Sequence, residues 1–138
     1  MNKKYLLGGL LVMLAVTVMA GNYLKNDPVI TINDNENKAV IVKLNETNFI
    51  AETTEGVVVV DFYADWCGPC RQLAPILESL TDVKVGKVDV EAEQKLAKQF
   101  NVNGIPLLVF MKNGEEQSRM VGVQPKDKIQ EVIDNLKD

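Results

Sequence analysis

The chain has 138 residues, 46% hydrophobic and 25% charged, which suits one domain plus an extension and excludes wholesale disorder. A formal net charge of −4 argues against a nucleic-acid partner. The chain has no histidine, which removes histidine general bases, Cys–His and Ser–His nucleophile pairs and nearly every common zinc site.

Taken in chain order, Lys3 and Lys4 precede an uncharged, almost wholly apolar run from Leu6 to Ala20. Val18-Met19-Ala20 puts small side chains where a signal peptidase inspects them, and Gly21 follows. The run of about 15 residues is shorter than the roughly 20 that a spanning helix prefers. Residues 1–20 are therefore read as a cleaved export signal, with an uncleaved N-terminal membrane anchor as the alternative. No cysteine lies near the run to carry a lipid. Residues 21–38 change character. Five asparagines, together with Asp27, Pro28, Asp34 and Glu36, read as a polar linker, in which Val29-Ile30-Thr31-Ile32 is a weak edge-strand candidate. Extended, about 17 linker residues reach roughly 55 Å, enough to tether a domain to a membrane.

Residues 39–138 read as one domain. Ala39–Leu44 is a strand candidate, and Asn45 can cap a short helix over Glu46–Ala51. Val57–Tyr63 is a run of β-branched and aromatic residues broken by one acid, Asp61, and reads as a buried central strand. A helix is expected over Cys67–Leu80, because Leu73, Ile76, Leu77 and Leu80 share one helical face, with a kink at Pro75. Val83–Val88 is a strand, Glu93–Phe100 a helix and Leu107–Met111 a strand. Asn113-Gly114 is a hairpin turn leading to Gln117–Val121. Pro125 opens a last helix that buries Ile129, Val132, Ile133 and Leu136. The order β-α-β-α-β-α-β-β-α predicts an α/β fold. Parallel crossovers come first and an antiparallel pair last, in a mixed central sheet flanked by helices.

The two cysteines sit three positions apart, in Cys67-Gly68-Pro69-Cys70, between a buried strand and a helix. A cysteine at a helix start meets unpartnered N–H groups and the positive end of the helix dipole, both of which favour thiolate over thiol. Cys67, at what is expected to be the exposed start of the helix, is assigned as the attacking thiol. Cys70, one turn further in, is assigned as the resolving thiol. Gly68 allows a tight turn and close approach of a substrate chain. Pro69 stiffens the turn where a missing N–H costs little. A structural disulfide would close too short a loop to remove much entropy from the unfolded chain. A zinc half-site would lack two ligands.

The stretch Asp61-Phe62-Tyr63-Ala64-Asp65-Trp66-Cys67-Gly68-Pro69-Cys70 resembles the active-site strand and turn of the thioredoxin family. Ala74-Pro75, Gly104-Ile105-Pro106, Asn113-Gly114 and Val121-Gly122 fall where that family carries similar residues, so the resemblance runs from about Val40 to Leu136. It implies the thioredoxin fold and a catalytic set of Cys67, Cys70, Asp61 and Lys87. Asp61 would be the buried carboxylate exchanging a proton with Cys70, and Lys87 its cationic neighbour. It further implies a substrate-binding set of Trp66, Gly68, Pro69, Ile105, Pro106 and Gly122. Pro106 would be cis, although only about one X-Pro bond in twenty is. The exposed Ile105 backbone would pair with an extended substrate, and Gly122 would keep the groove wall low. The thioredoxin nucleophile has a pKa near 7, a property of the family. Against a free cysteine near 8.5, it lifts the thiolate fraction at pH 7 from about 3% to about 50%. The chain departs from the family in three ways: Leu107 stands where threonine is common, Tyr63 where tryptophan is frequent, and most thioredoxins lack an export leader.

The function expected is a thiol–disulfide oxidoreductase that reduces disulfides in protein substrates outside the cytosol. The location expected is periplasmic or otherwise extracytoplasmic, either free or held to the inner membrane by residues 1–20. In an oxidising compartment the pair must be recharged, and a membrane thiol electron donor is the expected partner. No metal and no cofactor is expected. Two alternatives are carried: an oxidase or isomerase using the same site, and a non-redox peptide-binding module of the same fold.

Overall fold

The computed structural model describes residues 37–138. The expected leader, most of the linker and the Val29–Ile32 strand candidate lie outside the described residues. Nine elements follow in order: β1 (Val40–Lys43), α1 (Phe49–Thr53), β2 (Val57–Tyr63), α2 (Gly68–Glu78), β3 (Lys84–Asp89), α3 (Gln94–Gln99), β4 (Leu107–Lys112), β5 (Glu115–Val121) and α4 (Lys126–Lys137). They form a five-stranded sheet of order β1-β3-β2-β4-β5. β3 is parallel to both β1 and β2, while β4 is antiparallel to β2 and β5. The predicted element order and the mixed sheet are both observed.

Side-chain alternation along the strands divides the core into two layers. Val58, Val60 and Phe62 of β2 face one side with Leu44, Phe49 of α1, Leu96 of α3 and Phe100. Val59 faces the other side with Leu73 and Leu77 of α2 and Ile129 and Ile133 of α4. The step from β1 to β2 and the step from β2 back to β3 run in opposite directions across the sheet. A single crossover hand then requires α1 and α2 on opposite faces, which is where they lie. Because Asp61 and Tyr63 share the parity of Val59, they fall on the α2 side. β3 is threaded tightly between its neighbours. A Cβ on Gly86 would approach Leu44 Cγ to 2.8 Å, and Leu44 is itself fully buried, so this central position demands glycine.

Element ends differ from expectation where side chains compete for backbone groups. The helix expected over Glu46–Ala51 begins at Phe49, because Asn45 Oδ1 accepts from the N–H groups of Thr47 and Asn48 and builds a polar turn first. The helix expected from Cys67 begins at Gly68, and Cys67 is its N-cap. α2 continues through Pro75 to Glu78. Asn113 and Gly114 both have positive φ, 52° and 83°, as a tight hairpin turn between β4 and β5 requires. Among the described residues no helix is long and apolar enough to cross a membrane.

Candidate active site

β2 ends at Tyr63, and Ala64-Asp65-Trp66 carries the chain over the end of the sheet into α2. The Cys67 N–H donates to the Ala64 carbonyl at 3.2 Å, which fixes that turn. Cys67 has extended backbone angles (φ −77°, ψ 110°), as an N-cap does, and its Sγ accepts from the Cys70 N–H at 3.2 Å. A sulfur thus fills the place usually taken by a serine or aspartate oxygen, and one otherwise unpaired helix N–H points at it. Pro69 lies in the first turn, where its missing donor has no partner to lose. Cys67 and Cys70 are joined as a disulfide with their Cα atoms 5.2 Å apart.

The expectation that Cys67 stands at an exposed helix start is corrected. Cys67 is only 5% exposed and Cys70 3%. Packing with Ala64, Tyr63, Val90 and Ile105 covers both sulfurs. What separates the two is the space each borders. Cys67 lines a cleft of about 620 Å³ with Trp66, Gly68, Pro69, Ile105 and the apolar Val90, Ala97 and Val102. Cys70 lines a second, smaller cleft of about 220 Å³ with Tyr63, Arg71, Ala74 and Lys87.

The wall facing the disulfide is the loop before β4. Ile105–Pro106 is cis, and the Pro106 carbonyl accepts from the Gly122 N–H at 2.8 Å. Among the described residues, no backbone hydrogen bond occupies the N–H or C=O of Ile105. That leaves both groups open to an added strand. Gly122 has φ 82°, so glycine is needed there for backbone conformation. A Cβ on Gly122 would meet nothing within 4 Å, so the space beside it is open within the chain itself. Trp66 is 66% exposed, and its indole Nε1 donates to Glu91 Oε1 at 3.0 Å.

Beneath the turn, Asp61 sits within β2 and is fully buried. Its Oδ2 accepts from Lys87 Nζ at 2.8 Å, and the two residues are register partners across the parallel β2/β3 pair. Its Oδ1 is buried with no hydrogen-bond partner among the described residues. Burial pushes the carboxyl above its ordinary pKa, and the Lys87 charge and hydrogen bond offset only part of that. Lys87 Nζ also lies 4.3 Å from the centre of the Tyr63 ring. Lys87 therefore touches Asp61 on one side and borders the Cys70 cleft on the other.

The structure brings Trp66, Cys67, Gly68, Pro69 and Ile105 together around the larger cleft, places Pro106 next to Ile105 and joined to Gly122 by a backbone hydrogen bond, and gathers Asp61, Lys87 and Cys70 behind the turn. The sequence reading missed two contributors. Glu91 orients Trp66 across a separation of 25 residues. Arg71 donates to the Asp65 carbonyl at 2.9 Å and lines the smaller cleft. Adjacency to Cys70 could have flagged Arg71. Nothing local marks Glu91.

A vicinal-type dithiol at the strand-to-helix junction of this sheet, faced by a cis-proline wall and backed by a buried acid, defines a thiol–disulfide oxidoreductase of the thioredoxin fold. The thioredoxin family profile matches residues 40–135, and the chain belongs to that family. It is 44% identical over 98 residues to the thioredoxin of Bacillus subtilis (strain 168), covering 67% of this chain and 94% of that protein. Among solved structures it resembles a mutant thioredoxin from Halobacterium salinarum NRC-1. The TM-score is 0.65 at 36% identity, covering 73% of this chain and 92% of that one. A thioredoxin of Malassezia sympodialis matches with a TM-score of 0.63 at 35% identity, over 73% and 93% of the two chains. The protein is thus a protein-disulfide reductase with an active-site dithiol, Cys67 and Cys70.

Proposed function

We propose that this chain reduces protein disulfides outside the cytosol, with Cys67 as the attacking thiol, Cys70 as the resolving thiol and Asp61 as proton acceptor for Cys70. The Cys67 thiolate attacks one substrate sulfur. The substrate S–S bond breaks, a Cys67–substrate disulfide forms, and the departing sulfur takes a proton. Cys70 then gives its proton to the Asp61 carboxylate and attacks Cys67 Sγ. The second substrate thiol leaves, and the Cys67–Cys70 disulfide remains. Two electrons have passed to the substrate, so a reduced thiol must restore the pair.

The observation that carries this reading is the division of the two sulfurs between two clefts. Cys67 meets the wide apolar cleft and the open Ile105 backbone, as a substrate-facing thiol needs. Cys70 meets the narrow cleft bordered by Lys87, as a proton-exchanging thiol needs. Trp66, Gly68, Pro69, Pro106 and Gly122 form the substrate surface around Cys67. The extracytoplasmic location rests on Lys3, Lys4 and the apolar run Leu6–Ala20, with a membrane thiol carrier as donor. Residues 1–20 serve either as a removed signal or as the anchor.

Acid-quenched thiol trapping in fractionated native cells tests both parts. The expected result is an extracytoplasmic or membrane-bound protein whose Cys67/Cys70 pair is mainly reduced. Recovery in the cytosol would overturn the location. A mainly oxidised pair, with a potential well above the roughly −270 mV typical of thioredoxins, would overturn the direction in favour of an oxidase.

A further inference from the structure

We propose that Tyr63 is a positioning residue whose ring holds the Lys87 ammonium against Asp61 and so sets the pH at which the buried carboxyl exchanges its proton. The proposal rests on the proton role given above to Asp61. It arises from the strand register. Asp61 and Tyr63 are two residues apart on β2 and therefore share a face. Across the parallel pairing, Lys87 stands opposite Asp61 and Asp89 opposite Tyr63. The Lys87 ammonium lies 2.8 Å from Asp61 Oδ2 and 4.3 Å from the Tyr63 ring centre, held between a carboxylate and an aromatic face.

The clamp matters because Lys87 has room to leave. Its side chain is 22% exposed against 1% for Asp61, and a lysine side chain gains rotamer freedom and hydration by turning outward. A cation over an aromatic ring is held by about 0.5–1 kcal/mol at a partly exposed site. With Oδ1 unpartnered, Lys87 is the one side chain among the described residues that donates to this carboxyl, so loosening Lys87 acts directly on the Asp61 proton.

The other groups bordering this space come from three elements. β2 and its following turn supply Tyr63 and Asp65, β3 supplies Lys87 and Asp89, and α2 supplies Cys70 and Arg71. β4 places Leu108 in register beside Asp61, and α4 contributes the buried Ile129 and Ile133 to that face. Burial, then Asp89, Asp65 and Asp61, raise the pKa of the Tyr63 phenol, so its hydroxyl stays protonated. The ring, and not the hydroxyl, is the acting part. Indole is the stronger cation partner, so tryptophan at this position does the same work.

The test is a carbon-13 NMR titration of the Asp61 carboxyl in the reduced full chain. Tyr63→Leu is expected to raise the midpoint by about half a pH unit, the cation–ring energy converted at about 1.36 kcal/mol per unit. Tyr63→Phe and Tyr63→Trp are expected to leave it within about 0.2 of wild type, on the same conversion. In a Lys87→Met background, Tyr63→Leu should add no further rise, because the effect runs through Lys87. An unchanged or lowered midpoint in Tyr63→Leu, the sign of mere water entry, would overturn the proposal. So would a rise that persists without Lys87. Should Tyr63→Leu fail to fold, Tyr63→Met takes its place in the same cycle. The pH–rate profile of Asp61→Asn separates the two claims. If that profile matches wild type, the proton role of Asp61 fails while the titration still reads the Tyr63–Lys87 coupling.

Discussion

Replacing Asp61 with leucine should stabilise the oxidised protein at neutral and alkaline pH, although it deletes an ion pair. The carboxylate is fully buried, one oxygen is satisfied by Lys87 at 2.8 Å, and the other has no partner among the described residues. An unsatisfied buried acceptor costs about 1–3 kcal/mol. Replacing a whole buried ion pair by apolar side chains often gains about 1–4 kcal/mol, and removing one partner is costly only when the other charge stays buried, whereas the Lys87 side chain is already 22% exposed. Lys87, left alone, can turn to solvent, so its own loss is small. A net gain of about 1–3 kcal/mol is expected, or roughly 5–15 °C in Tm for a domain of this size. The pH dependence has a definite sign. Folding raises the Asp61 carboxyl above its unfolded value near 4, so over that interval the folded state binds more protons than the unfolded chain. Wild-type stability therefore falls as pH rises from about 4 through the folded pKa, then levels off. The leucine variant lacks this fall, so its advantage grows across the same window. Urea unfolding of the oxidised protein, followed by circular dichroism at a series of pH values, measures both. A variant less stable than wild type at pH 8, or an advantage that does not change with pH, would refute the reasoning.

Three further outcomes follow from the same geometry. Asp61→Asn should slow protein-disulfide reduction at pH 7 by about 100-fold, the lower end of what a positioned acid–base group supplies, as read by insulin reduction. Cys70→Ser should accumulate a disulfide between Cys67 and substrate, visible by mass, whereas Cys67→Ser should trap nothing; the reverse pattern would exchange their roles. Gly86→Ala should destabilise by about 1–3 kcal/mol in thermal unfolding, because the new methyl group meets fully buried Leu44.

The strands and helices are legible in the sequence wherever apolar periodicity is strong. β2 follows the run Val57–Tyr63, α2 carries the face of Leu73, Ile76 and Leu77 but ends at Glu78, before Leu80, and the Asn113-Gly114 turn follows from the demand for positive φ at both residues. Legibility fails where side chains compete with backbone. Asn45 delays the first helix by three residues, because its carboxamide captures the N–H groups a helix start would leave free. At the site, the thiols and the Asp61–Lys87 pair could be placed because the family resemblance supplied the partner strand. The burial of Cys67 could not, since it depends on Val90 and Ile105, which approach from other strands and loops. The Trp66–Glu91 bond escapes for the same reason. At Gly122 the backbone adds a demand of its own to the low groove wall that the resemblance implies: its φ of 82° favours glycine.

The separation of Cys67 and Cys70 between two clefts has a kinetic consequence. The larger cleft is lined by Trp66, Cys67 and Ile105, the smaller one by Tyr63, Arg71 and Lys87, and the two share no lining residue. If the client fills the larger cleft as proposed, Cys70 still borders the smaller one, so the rate of its proton exchange is expected not to depend on client size.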